Sequence, residues 1–302
     1  MSGSAILGAL VWLVLLGSSR RGETPLWVIE LLFLLAPLVL VPLALDLIRE
    51  PNLVRRARRL QPWCALAAAL SFLAPRGETA AFLAAPWLAF TGLLAFHGLA
   101  RLYRRGFAPP AELAIDAALM FVPIGGGWLV LSRLGWAPFG FDEPIVLLTA
   151  VHFHYAAFTA LVLTGVAGRA LGRSSVYPGI VYAAIAGTPL VAAGITASPL
   201  LELVGTAAIA IALCALAIVT LVEIAPRLPR VSRILLSVSA SSLLVTMPLA
   251  VAWAAGRFLD QATAALSTMA RIHGTVNALG FSLCGLLGWT LARRRNPARS
   301  IL

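Results

Sequence analysis

The stretch "PIVLLTAVHFHYAAFTALVLTGVAG", residues 144–168, runs for 25 residues without an Asp, Glu, Lys or Arg. At about 1.5 Å of rise per residue, roughly 20 apolar residues cross the ~30 Å hydrocarbon layer of a bilayer. The stretch therefore reads as a spanning helix. An isolated strand is excluded there, because its backbone groups would have no partner in lipid.

Similar runs recur on both sides. They predict ten spans, near 4–19, 25–48, 60–75, 79–101, 111–133, 144–168, 176–196, 199–224, 234–257 and 264–291. The first is short, and the third, "PWCALAAALSFLAP", is the least apolar. The expected fold is all-α: a polytopic helical bundle in the cell membrane, forming one transmembrane domain over residues 1–302. The N-terminal "MSGSAILGALVWLVLLGSS" lacks a basic leader and an AxA site, so it is expected to remain as the first helix.

Composition agrees. Of the 302 residues 60% are hydrophobic and 12% charged, against about 45–50% and 25% in soluble domains. The net charge is +11, and all 23 basic residues are arginine. Most of these flank apolar runs, as Arg55, Arg56, Arg58 and Arg59 do, and as Arg293, Arg294 and Arg295 do. Such placement points to topology and anionic headgroups, not to nucleic acid, for which no module is present. Numbering the loops in order, the even loops and the C-terminus hold Arg49, Arg101, Arg104, Arg105, Arg169, Arg173, Arg227, Arg230, Arg233 and Arg299 besides the two clusters. The odd loops hold Arg20, Arg21, Arg76, Arg133 and Arg257. The positive-inside rule then puts both termini in the cytoplasm. Cys64, Cys214 and Cys284 stand singly in apolar runs and read as small hydrophobic residues.

Two features break the apolar pattern. In the fifth span, "FVPIGGGWLV" combines Pro123 with Gly125, Gly126 and Gly127, which predicts a kinked or interrupted helix. In the sixth, Asp142 or Glu143 is placed to cap the helix ahead of Pro144, and His152 and His154 come at mid-depth. The tenth span, "ARIHGTVNALGFSLCGLLGW", brings His273 to a similar depth, with Asn277 one turn on and Gly280, Cys284 and Gly288 continuing that face. Contact between spans six and ten would let His152 or His154 face His273 and Asn277. A two-residue step turns about 200°, so His152 and His154 point to opposite sides unless a π turn intervenes. Arg271 lies inside the tenth span and needs an acidic partner, with Glu143, Asp142 and Glu30 as candidates, or must snorkel outward. His97, far from the other three, is expected to be an interfacial or backbone-bonded histidine.

Ionisable groups within a membrane are costly and mark function. The candidate substrate or proton site is therefore Glu143, His152, His154, Arg271, His273 and Asn277, between spans five, six and ten. His152, His154 and His273 are also the only set that suits a metal or haem, although HxH on a helix lacks the i, i+4 spacing of zinc helices. No P-loop and no GxSxG occur.

"EPIVLLTAVHFHYAAF" (Glu143–Phe158) and "HGTVNALGFSLCGLLGW" (His273–Trp289) resemble the YndJ-like family of bacterial multi-pass membrane proteins. The resemblance implies the multi-pass architecture and a transporter-like role, and it points to Glu143, His152, His154, His273 and Asn277. It implies no particular substrate or cofactor. Three functions stay open: a transporter of a small molecule or ion, a membrane-embedded metal or haem enzyme using the same histidines, and a non-catalytic accessory subunit.

Overall fold

The structure is a computed structural model and describes residues 3–18, 27–48, 51–172, 174–261 and 265–295. Among these residues there are ten helices and no strand: α1 Gly3–Ser18, α2 Trp27–Leu47, α3 Pro51–Ser71, α4 Glu78–Arg105, α5 Pro110–Leu134, α6 Ile145–Leu171, α7 Tyr177–Ala197, α8 Pro199–Arg227, α9 Arg230–Phe258 and α10 Leu266–Arg294. Each matches one expected span. Eight are long and apolar enough to cross a membrane; the other two are α1, which is short, and α3, whose first half carries arginines. Arg20, Arg21, Arg49, Arg173 and Arg299 lie outside the described residues.

The helices form two compact units. Unit 1 holds residues 1–106 and 116–159, and unit 2 holds residues 107–115 and 160–302, so α5 and α6 contribute to both.

In unit 1 the central element is α2, buried along nearly its whole length. Its middle widens into a π turn, Ala36–Leu40, where the Val41 N–H returns to Ala36 O. That leaves the Pro37 carbonyl without Val41, and Pro42, next along, has no N–H to give. Gln61 of α3 fills the gap, donating from Nε2 to Pro37 O at 2.6 Å. Tyr155 of α6 donates to Leu32 O at 2.7 Å, and Trp12 of α1 to Leu31 O at 2.8 Å. Buried carbonyls in lipid must be met in this way, and here the bonds tie three neighbours to α2.

α5 is not interrupted: it runs as one helix through Pro123 and the three glycines. The glycines serve contact. A Cβ on Gly125 would lie 2.6 Å from His154 Nδ1, and one on Gly126 would lie 2.6 Å from Thr91 Oγ1 of α4. Gly127 faces open space.

Unit 2 uses the same device. The expected stripe on α10 packs on α9, with Gly280 against Ser242 and Gly288 against Leu236, while Gly285 meets Ser239 and Leu163 of α6. The α7–α8 hairpin closes on Gly194, where a Cβ would overlap the backbone nitrogen of Glu202. Backbone cannot yield as a side-chain end can, so Gly194→Ala should cost about 1–3 kcal/mol or more. Gly179→Ala, on the same helix with nothing within 4 Å of its Cβ, should be neutral within about 0.5 kcal/mol. Unfolding of the two variants in detergent checks the contrast.

Candidate functional site

His154 sits in a π turn, Phe153–Thr159, in the middle of α6. The Thr159 hydroxyl, five residues on, donates to the His154 carbonyl at 2.9 Å. The imidazole is completely buried. Its Nε2 lies 2.9 Å from Trp87 Nε1 of α4, and its Nδ1 lies 2.7 Å from Ala150 O. An indole N–H can only donate and a carbonyl can only accept. His154 is therefore the neutral tautomer with its proton on Nδ1, and both ring nitrogens are committed. Gly125 supplies the space for the ring. His152, two residues away, lies on the exposed side of the helix.

An aromatic column runs through unit 1 at this level. Phe90 meets Trp87 at 5.3 Å, Trp87 meets His154 at 5.9 Å, His154 meets Phe33 at 5.2 Å, and Phe33 meets Phe72 at 5.8 Å. Such centroid spacings are favourable for offset and edge-on rings. The column ends in a cation: the Arg133 guanidinium lies 4.7 Å over the Phe72 ring.

Arg133, expected in a loop, is in the last turn of α5 and only 4% exposed. It donates from Nη2 to Ala74 O at 2.9 Å, while its Nε–H is buried with no acceptor among the described residues. Around it stand Arg76, Glu143 and Glu30, all within electrostatic reach. Glu143 fulfils the capping expectation, taking the Leu147 N–H at 3.2 Å; it also accepts from the Ser132 hydroxyl and pairs with Arg76 at 3.7 Å. Glu30, half-buried at the start of α2, makes no ion pair or hydrogen bond among the described residues.

The second histidine group belongs to unit 2. His273 and Asn277 lie in successive π turns of α10, Ala270–Gly274 and Val276–Leu283. His273 Nδ1 is 3.1 Å from Thr246 O of α9 and must donate to it. Asn277 donates to His273 O at 2.9 Å and accepts from the Thr246 hydroxyl at 2.9 Å. The geometry thus joins His273 and Asn277 through Thr246, and among the described residues His273 Nε2 keeps an uncommitted lone pair. Arg271 is exposed. His97 bonds Leu93 O at 2.8 Å, as expected. Among the described residues no three His, Cys, Asp or Glu side chains cluster as metal ligands.

Sequence reasoning misses three polar residues. Trp87 carries no signal until its partner is known. Arg133 counts with the loop arginines. Asp116 is completely buried and pairs with Arg101 at 2.6 Å and with Arg105. Arg101 and Arg105 are one helical turn apart on α4, which alone marks them as able to share a carboxylate. In unit 2, Arg169 grips Glu112 with two bonds, at 2.6 and 2.9 Å, the side-on pairing a planar guanidinium allows. Glu202, in the first turn of α8, lies 3.4 Å from Arg257.

The family model described as "YndJ-like protein" matches residues 31–281 of this chain. The chain belongs to the YndJ-like family. That match contains α3 to α9 entirely, together with both histidine groups and Arg133. The chain is also 28% identical over 301 residues to the "Uncharacterized membrane protein YndJ" of Bacillus subtilis (strain 168), covering 96% of this chain and 53% of that protein. It thus spans about half the length of this YndJ relative. No solved structure matches the chain. Membership in the YndJ-like family and the eight apolar helices make this a multi-pass membrane protein.

Proposed function

We propose that this YndJ-like protein is a permease that moves a small polar solute and exchanges a proton at His273. The observation that carries this reading is the state of that imidazole. It is held at Nδ1 alone, within a π turn of an apolar helix, beside Asn277 and Thr246, with Nε2 left to take a proton or a solute. Imidazole is the side chain whose charge changes near physiological pH, and π turns favour functional positions. His154 has the opposite character. A proton on Nε2 would face the Trp87 N–H, donor against donor, so this residue supports the fold and not the exchange. The same commitment counts against a metal or haem on His154, since a ligand at Nε2 would displace the indole.

The test is solute-driven proton movement in proteoliposomes holding a pH dye, screened over small polar solutes. His273→Gln should reduce the flux by about a hundredfold, the scale of a lost acid–base group, while the protein stays monodisperse. Full flux in His273→Gln overturns the proposal.

A further inference from the structure

The Arg133 cluster holds two unfilled bonding demands within electrostatic reach of each other. The first is the Arg133 Nε–H, buried on a side chain that is only 4% exposed, with no acceptor among the described residues. Such a donor forfeits its hydration without recompense unless an acceptor arrives. The second is the Glu30 carboxylate, half-buried and without an ion pair or hydrogen bond among those residues. Glu143 is different, being occupied by Ser132, the Leu147 N–H and Arg76. The open groups are thus one guanidinium edge and one carboxylate, close enough to act on each other electrostatically but not joined.

Charge decides what fits. Arg76 and Arg133 balance Glu30 and Glu143, so the cluster is neutral as a whole. An added bare anion or cation would leave a net charge beside the buried Arg133, which is expensive. A ligand with both signs leaves the balance intact and fills both demands. Phe72, against the guanidinium face, fixes the plane in which Arg133 offers its edge, and the fork of an arginine matches a carboxylate.

We propose that Arg133 and Glu30 form a binding site for a small zwitterion of the amino-acid type, its carboxylate on Arg133 Nε and its ammonium on Glu30. This names the solute class of the permease reading, and the step from binding to transport rests on that reading.

The test uses the full chain in mild detergent, with thermal unfolding followed against the twenty common amino acids. Acetate and methylamine serve as the two half-ligands. At least one amino acid should give a saturable upward shift, with acetate and methylamine each at least about tenfold weaker, the scale of one lost charge-assisted bond. Arg133→Gln and Glu30→Gln should each weaken the amino acid by about tenfold or more. Arg133→Lys, which keeps the charge but not the fork, should weaken it as well. No saturable shift with any amino acid overturns the site, as does acetate binding as well as the amino acid, or Glu30→Gln binding unchanged. The wild-type panel decides even if Arg133→Gln does not fold. Amino-acid binding without flux in proteoliposomes would end the permease reading and leave the site standing. Flux of another solute without amino-acid binding would do the reverse.

Discussion

Asp116→Ala is expected to be among the most damaging substitutions in the chain, at about 3–5 kcal/mol, the range found when one partner of a buried pair is removed. Asp116 has no exposed surface and serves two guanidiniums. Without it Arg101, itself 5% exposed, loses the buried carboxylate it pairs with at 2.6 Å. The helices cannot relax apart cheaply, because Gly98 of α4 faces the Asp116 backbone so closely that a Cβ there would lie 2.9 Å from its carbonyl oxygen. Replacing Asp116, Arg101 and Arg105 together with leucine should recover most of the loss, since no buried cation is then deprived of its carboxylate. Denaturant unfolding of the single and triple variants checks both halves. A triple variant as weak as Asp116→Ala would show that the ions do more than compensate one another.

The second large effect is at His154. His154→Ala should cost about 3–5 kcal/mol, because a fully buried ring is removed from the aromatic column and a cavity is left among Phe33, Trp87 and Gly125. His154→Phe keeps the volume and isolates the hydrogen bonds. It leaves the Trp87 N–H unpaired and should cost about 1–3 kcal/mol. Trp87→Phe should cost a similar amount, and the double variant clearly less than the sum, with a coupling near 1 kcal/mol. Unfolding of the four proteins gives the cycle; strict additivity would mean that the 2.9 Å approach contributes nothing. Because His154 acts as a neutral bridge, His154→Phe should leave the pH dependence of any flux unchanged, whereas His273→Gln should remove it.

The architecture is legible because lipid imposes a single rule on the backbone. Runs long enough to span become helices, and the two least span-like runs are the two helices that fall short of a crossing. The cap at Glu143 and the glycine stripe of α10 are also readable, since each is a local matter of spacing. Partners are not. A helix that is apolar all round has no sequence-visible inner face, so nothing near Trp87 announces a histidine 67 residues away. Isolated glycines weaken helices, so Gly125 and Gly126 read as a break, yet their effect depends on what lies opposite, and here His154 and Thr91 do. Arg133 reads as a loop residue because it stands one residue before the end of its helix; a count of loop charges cannot see that the side chain turns inward to Phe72 and Ala74.

The surplus residue in the Phe153–Thr159 turn has a consequence for the phase of α6. Every residue added to or taken from a helix rotates its N-terminal part by about 100° relative to its C-terminal part. From Phe153 to Gly168 every side chain except Ala156 is buried, while Ile145–His152 is buried on one side only. Removing a single alanine from the turn would leave the hydropathy of the span almost as it was. It would nevertheless swing everything before the deletion around the axis relative to Phe158 and Thr159, so that Glu143 and Tyr155 would turn together and could not both keep Ser132 and Arg76 on one hand and Leu32 on the other. The span therefore encodes an angular setting as well as a length, and a one-residue deletion there would be silent to any reading of hydrophobicity while undoing the charged end of the unit or the bond to Leu32.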